Sequence, residues 1–187
     1  MFLRSGVLFV VLVGALRIPA PAGPPAVPPA IPEPAAFREF TQRAQEYVKL
    51  QKAVPRLRTT KNRQEIVERR HALAQKIRET RSNAQPGDIF TPAASEAFRR
   101  VIRSIFQGPS GRDVRRTIRQ GEPVAGWHLT VNSDYPEHLP VTTVPPTLLL
   151  RLPQLPPQLA YRIIGHDFVL QDIEARVVVD FIPGALP

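Results

Sequence analysis

The 187-residue sequence has no cysteine and only one methionine and one tryptophan. Without cysteine there is no disulfide, no zinc–thiolate site, no lipid-modified thiol and no thiol nucleophile. Neither GxGxxG nor a P-loop occurs, so nothing supports a nucleotide ligand. There is no HExxH pair of histidines. "GPSG" (108–111) lacks the G-x-S-x-G elbow of serine hydrolases and sits between helical patterns, where Ser110 serves better as a helix cap. The apolar run "VLFVVLVGAL" (7–16) is shorter than the ~20 residues that a membrane-spanning helix needs.

That run instead fits a signal peptide over 1–22. Arg4 supplies a basic n-region, 7–16 the apolar core, and "APA" (20–22) a small-x-small cleavage pattern. The rival reading is an uncleaved N-terminal anchor, because prolines crowd the proposed cleavage point. An exported chain without disulfides fits the bacterial periplasm, or secretion, better than a small stapled extracellular module.

What is abundant is proline, 22 residues, and positive charge, a formal +9 with pI near 10.9. Residues 23–36 are Pro/Ala-rich and predict an extended, polyproline-like spacer or disordered mature N-terminus. From Phe37 the pattern turns helical. Phe37, Phe40, Ala44, Tyr47 and Val48 recur at helical spacing up to Pro55. A second helix starts at Asn62 with Glu65 in capping-box spacing and carries Ile66, Leu73 and Ile77 until "NAQPGD" (83–88). In the third, Thr91 caps, Pro92 takes the first position, Phe98, Val101, Ile102 and Ile105 form the stripe, and Gly108 stops it. A short helix over 110–120 follows.

After Gly121 the chain becomes β-rich. "WHLTV" (127–131) reads as a strand, 146–152 as a helical turn leading into an extended segment, and 159–164, 168–172 and 176–182 as a three-stranded antiparallel meander. In its first turn, "GHD", Gly165 permits a positive φ and His166 points into solvent; the pair His166-Asp167 is a turn rather than an active site. The expected architecture is α+β: amphipathic helices over 37–120, then a small antiparallel sheet in 121–187 packing on them.

Charge divides at the same boundary. Residues 38–119 hold 20 Lys/Arg and 8 Asp/Glu, a net of +12, whereas 120–187 hold 3 Arg and 7 acids, a net of −4. Arginine matches phosphate and carboxylate with parallel donors, so Arg69, Arg70, Arg99, Arg100, Arg103, Arg115 and Arg116 are the candidate residues for an anion or partner. Export and the lack of interleaved aromatics argue against nucleic acid; an anionic envelope component, an acidic protein face or a membrane surface fits better. The alternative is that these arginines solvate the helices and snorkel over the core.

His128, Asp134, Glu137 and His138 put nitrogen and oxygen ligands within eleven residues, which keeps a metal-dependent hydrolase as a remote alternative. Pro136 breaks any helix that would present them together, so no cofactor or metal is expected. His71 lies beside Arg69 and Arg70, which disfavour a cation. The reading is therefore a non-enzymatic binding module, with a structural homo-oligomer, its basic and acidic halves pairing between subunits, as the other possibility.

Leu155-Pro156, Tyr161-Arg162, Gly165 with Asp167, Leu170 with Asp172, and the aliphatic strand Val177 to Ile182 carry one resemblance. This stretch is similar to the closing module of RcnB-like periplasmic proteins, regulators of nickel and cobalt homeostasis, and to the tail of uncharacterised exported bacterial proteins. The family's Gly-Tyr before the first strand and Thr-Gly in the second turn are here Leu159-Ala160 and Glu174-Ala175. The resemblance implies the periplasm and a small β-meander. It carries no metal role, because the chain shows no matching ligand set.

Overall fold

A computed structural model describes residues 35–53, 62–109, 111–119, 128–135 and 144–187, all within the compact unit Glu33–Pro187. The stretch expected as signal peptide and most of that expected as spacer, with Ser110, Trp127, Glu137 and His138, lie outside the described residues. Among the described residues five helices precede three strands: α1 (Ala35–Ala53), α2 (Arg63–Thr80), α3 (Pro92–Gln107), α4 (Gly111–Arg119), α5 (Pro146–Leu149), β1 (Leu159–Ile164), β2 (Asp167–Asp172) and β3 (Val177–Ile182). The strands form an antiparallel meander in the order β1-β2-β3, so the architecture is α+β with the helices first.

The helices form where spacing and caps ask for them. α1 buries Phe37, Phe40, Ala44, Tyr47, Val48 and Gln51, a single stripe at steps of three and four. Asn62 caps α2 by accepting the Gln64 N–H, and Thr91 caps α3 by accepting from Ala94 ahead of Pro92. Of the three apolar residues expected to seat α2, Ile77 is buried, Leu73 is partly buried and Ile66 is 43% exposed, so only the C-terminal half of α2 joins the core. Gly108 ends α3 with an extended φ, and it is Gly111 that needs to be glycine. A Cβ there would lie 2.0 Å from the Phe106 carbonyl oxygen, so α4 can start against the end of α3 only without a side chain.

One face of the sheet receives α1 and α3 through a cluster of aromatic rings. Phe98 is its hub, with ring centroids 4.9 Å from Phe40, 5.0 Å from Phe90, 5.1 Å from Phe37, 5.8 Å from Phe168 and 5.9 Å from Tyr161. Four of these pairs are edge-on and the Phe168 pair is tilted, and edge-on rings at such separations add to what area burial alone gives. The opposite face carries a smaller cluster in which Leu129 and Tyr135 cover Ile164, Val169, Val178 and Phe181.

The expected strand over 127–131 is absent from 128–131. The pairing occurs one step later: Asn132 turns with φ 67°, its N–H donates to Val178 O, Val178 N–H donates to Ser133 O, and Tyr135 N–H donates to Arg176 O. Residues 132–135 thus close the outer edge of β3 with a short bridge at Asp134. The first hairpin is also tighter than expected. Ile164 pairs with Asp167 across the two-residue turn Gly165-His166, with Gly165 at φ 58°, the geometry of a turn that wants glycine first. Asp167 belongs to β2 and accepts the Gly184 N–H. His166 is exposed, with Nδ1 3.2 Å from the Leu186 carbonyl and its own carbonyl accepting the Leu186 N–H, so the C-terminal tail straps the hairpin tip.

β3 is irregular in a way that sets its polarity. Gln171 pairs with Val178 but Leu170 pairs with Asp180, leaving Val179 as an extra residue. Strict alternation from Val177 would send Asp180 to the face of Val178. The bulge puts both Val179 and Asp180 on the helix side and moves Phe181 to the opposite face, where it packs near Val169.

Candidate functional site

The acids of the C-terminal half are the first surprise in the charge pattern. Asp180 is fully buried, and its carboxylate accepts N–H groups from Gly87, Ile89, Phe90 and Phe181 at 2.7–3.0 Å. Gly87 adopts φ 96° to bring the loop around it. Asp172 is equally buried; Oδ2 accepts from Tyr47 OH and Gln51 Nε2, and Oδ1 from the Glu174 and Ala175 N–H groups. Burial, and then the adjacent Asp172 carboxylate, push the Tyr47 phenol far above its ordinary range. Asp172 therefore staples α1 to the sheet and Asp180 staples the loop between α2 and α3, and neither shows its charge to the outside.

All seven candidate arginines are engaged within the chain. Arg99 donates to the Pro183 and Gly184 carbonyls at 2.7 and 2.9 Å and holds the C-terminal tail. Arg115 donates to Phe106 O and stacks over the Phe106 ring. Arg100 and Arg103 converge on one carboxylate, Glu96; Arg116 pairs with Asp113, and Arg69 with Glu65 at 3.8 Å. Arg70 is half-buried and likewise engaged. Two arginines outside the candidate set act structurally: Arg78 bonds Asn132 O and Asp134, and Arg81 bonds Asn132 Oδ1 and Val179 O while lying 5.1 Å over the Tyr47 ring. Burial pulls the Arg81 guanidinium below its ordinary value, and Tyr47, Asp88 and Asp180 push back.

The metal alternative divides. His128 is exposed, Asp134 is tied to Arg78, and the other two members lie outside the described residues. Among the described residues no three His, Asp or Glu side chains come together as a cation site, and no helix is long and apolar enough to cross a membrane.

After this accounting, the exposed cations with no hydrogen-bond or ion-pair partner among the described residues are Lys49, Lys52, Arg63, Arg112 and Arg151. Two of them, Lys49 and Lys52, border an open groove of about 470 Å³. One wall is α1, with Gln45, Val48, Lys49 and Lys52 at i, i+3, i+4 and i+7; the other is the stretch Gln154-Leu155-Pro156-Pro157-Gln158. The walls share an anchor. α1 is held to Asp172 by Tyr47 and Gln51, and the Gln158 carbonyl accepts the N–H of the next residue, Ile173. The amide oxygens of Gln158 and Gln51 are buried with no donor among the described residues. Sequence reasoning missed this groove because arginine density drew attention to α2–α4, and nothing in the spacing says that "QLPPQ" faces α1 across more than 100 residues. No family model, curated protein or solved structure matches this chain.

Proposed function

We propose that this is an exported protein of the bacterial envelope, periplasmic or secreted, that acts without catalysis and binds an anionic partner through its basic helical surface. The observation that carries the reading is the fate of the acids: Asp172 and Asp180 are fully buried on amide and hydroxyl donors, so the surface is more uniformly basic than the sequence total implies. Five exposed cations have no internal partner among the described residues. The ion pairs of Arg100, Arg103 and Arg116 are solvent-exposed, and such pairs contribute about 0–1 kcal/mol, so an external anion can compete for those arginines. The likeness of the C-terminal stretch to RcnB-like proteins supports the periplasmic location and supplies no ligand.

Pairing of basic and acidic halves between subunits is less favoured, since two of the seven C-terminal acids are internal and residues 132–135 cover one edge of the sheet. The test uses the full chain with phosphatidylglycerol vesicles, phosphatidylcholine vesicles and polyphosphate over a salt series. Binding to either anionic probe should weaken steeply with salt. Changing Lys49, Lys52, Arg63, Arg112 and Arg151 together to Gln should weaken it at least about tenfold. No binding to either anionic probe, or binding indifferent to salt and to these changes, overturns the reading.

A further inference from the structure

We infer that the groove between α1 and residues 154–158 is a docking site for an extended, acidic polypeptide segment. This deepens the reading above, on which it rests for the sign of the partner's charge, and it names the partner's class. Among the described residues the only charged ones lining it are Lys49 and Lys52, both exposed and without an acceptor there. They sit about 4.5 Å apart along the helix axis, at 1.5 Å per residue. Two carboxylates on one side of an extended chain, roughly 7 Å apart, can each reach one of them through the flexible lysine stems.

The rest of the lining selects a peptide over a bare anion. Gln45, Gln154 and Gln158 carry primary amides, each able to donate and accept, which is what a peptide backbone presents in return. Sulfate offers only acceptors and leaves the acceptor half of those amides unmatched, whereas an extended peptide backbone presents both N–H and C=O. Val48, Leu155, Pro156 and Pro157 give an apolar floor for aliphatic side chains between the acids. The α1 wall from Gln45 to Lys52 runs about 10 Å, the length of about three extended residues. A volume of about 470 Å³ falls within the about 300–1,000 Å³ range of small-ligand sites. Both walls are fixed by the Asp172 staple and by prolines, so little ordering entropy is lost on binding.

The experiment is fluorescence anisotropy of a labelled peptide alternating Glu with Val, against its Gln-for-Glu counterpart, titrated with the full chain. Variants are Lys49→Gln/Lys52→Gln, Gln154→Ala, and the charge-matched Arg112→Gln/Arg151→Gln; all change exposed residues, and circular dichroism checks that each folds. The acidic peptide should bind, the neutral one at least about tenfold more weakly. The lysine variant should lose at least about tenfold in affinity, Gln154→Ala should lose part of it, and the arginine variant should change it by less than about threefold. Equal losses in the two charge-matched variants, equal binding of the neutral peptide, displacement of the acidic peptide by inorganic phosphate at matched charge, or no peptide binding each overturn the inference. If phosphatidylglycerol vesicles or polyphosphate still bind in a salt-dependent way when the peptide does not, the groove assignment fails and the anionic-partner reading stands; if neither binds, both fail.

Discussion

Replacing Asp180 by Asn tests how much of the fold hangs on one buried carboxylate. The two oxygens accept four N–H groups, Oδ1 from Gly87 and Phe181 and Oδ2 from Ile89 and Phe90. Asparagine keeps one oxygen and puts an NH₂ donor where the other was, so two of the four N–H groups lose their acceptor and face a donor instead. Each buried donor left unpaired costs about 1–3 kcal/mol, which puts the loss at about 2–6 kcal/mol. Set against a total stability of about 5–15 kcal/mol, that is a large fraction. Equilibrium urea unfolding followed by circular dichroism reads the change in midpoint, and thermal unfolding should fall by roughly 2–4 °C per kcal/mol for a chain of this size. Amide exchange supplies the local signature, with the Ile89 and Phe90 N–H groups losing protection before those of α1. Asp167→Asn is the control, because it accepts a single exposed N–H from Gly184 and should cost less than about 1 kcal/mol. A loss below about 1 kcal/mol for Asp180→Asn would refute the idea that four amides depend on this side chain.

Gly111→Ala should destabilise by about 1–3 kcal/mol in the same urea assay, since its Cβ would fall 2.0 Å from a backbone oxygen that cannot move aside as a flexible side chain would. Tyr47 is raised in the folded state, so only the unfolded chain ionises it near the ordinary value of about 10. Stability from this residue is therefore intact below pH about 10 and falls as pH rises above it; Tyr47→Phe should flatten that alkaline decline, and an unchanged slope would count against it. Arg99→Gln should cost on the order of 1 kcal/mol and raise amide exchange at Gly184 and Leu186, while changing affinity for anionic vesicles by less than about threefold.

Local signals in the sequence were enough for α3, where Thr91, Pro92 and the stripe through Phe98 and Ile102 act within one element. The meander was legible for the same reason: apolar runs and Gly165 encode it over neighbouring residues. What escaped depends on distant partners. "WHLTV" alternates like a strand, yet the ladder to β3 begins at Asn132, whose left-handed turn and bonds with Arg81 decide where pairing starts. Alternation from Val177 would place Asp180 on the face of Val178, and only the extra residue at Val179 sends it to the helix side. Arg99 looked like a free cation because its acceptors lie 84 and 85 residues further along the chain. The groove escaped for the same reason, having one wall in α1 and the other beyond Gln154.

The two buried carboxylates have a kinetic consequence. Asp172 reaches back 125 residues to Tyr47, and Asp180 reaches back 90 to Phe90. Contacts so far apart in sequence make folding slow, because long loops must close before the closing contact contributes. The N–H groups of Gly87, Ile89 and Phe90 have the Asp180 carboxylate as acceptor only once β3 is in place. The helical half taken alone therefore lacks the acceptors for the Tyr47 hydroxyl and for the amides at 87–90, and both arrive only with β2 and β3.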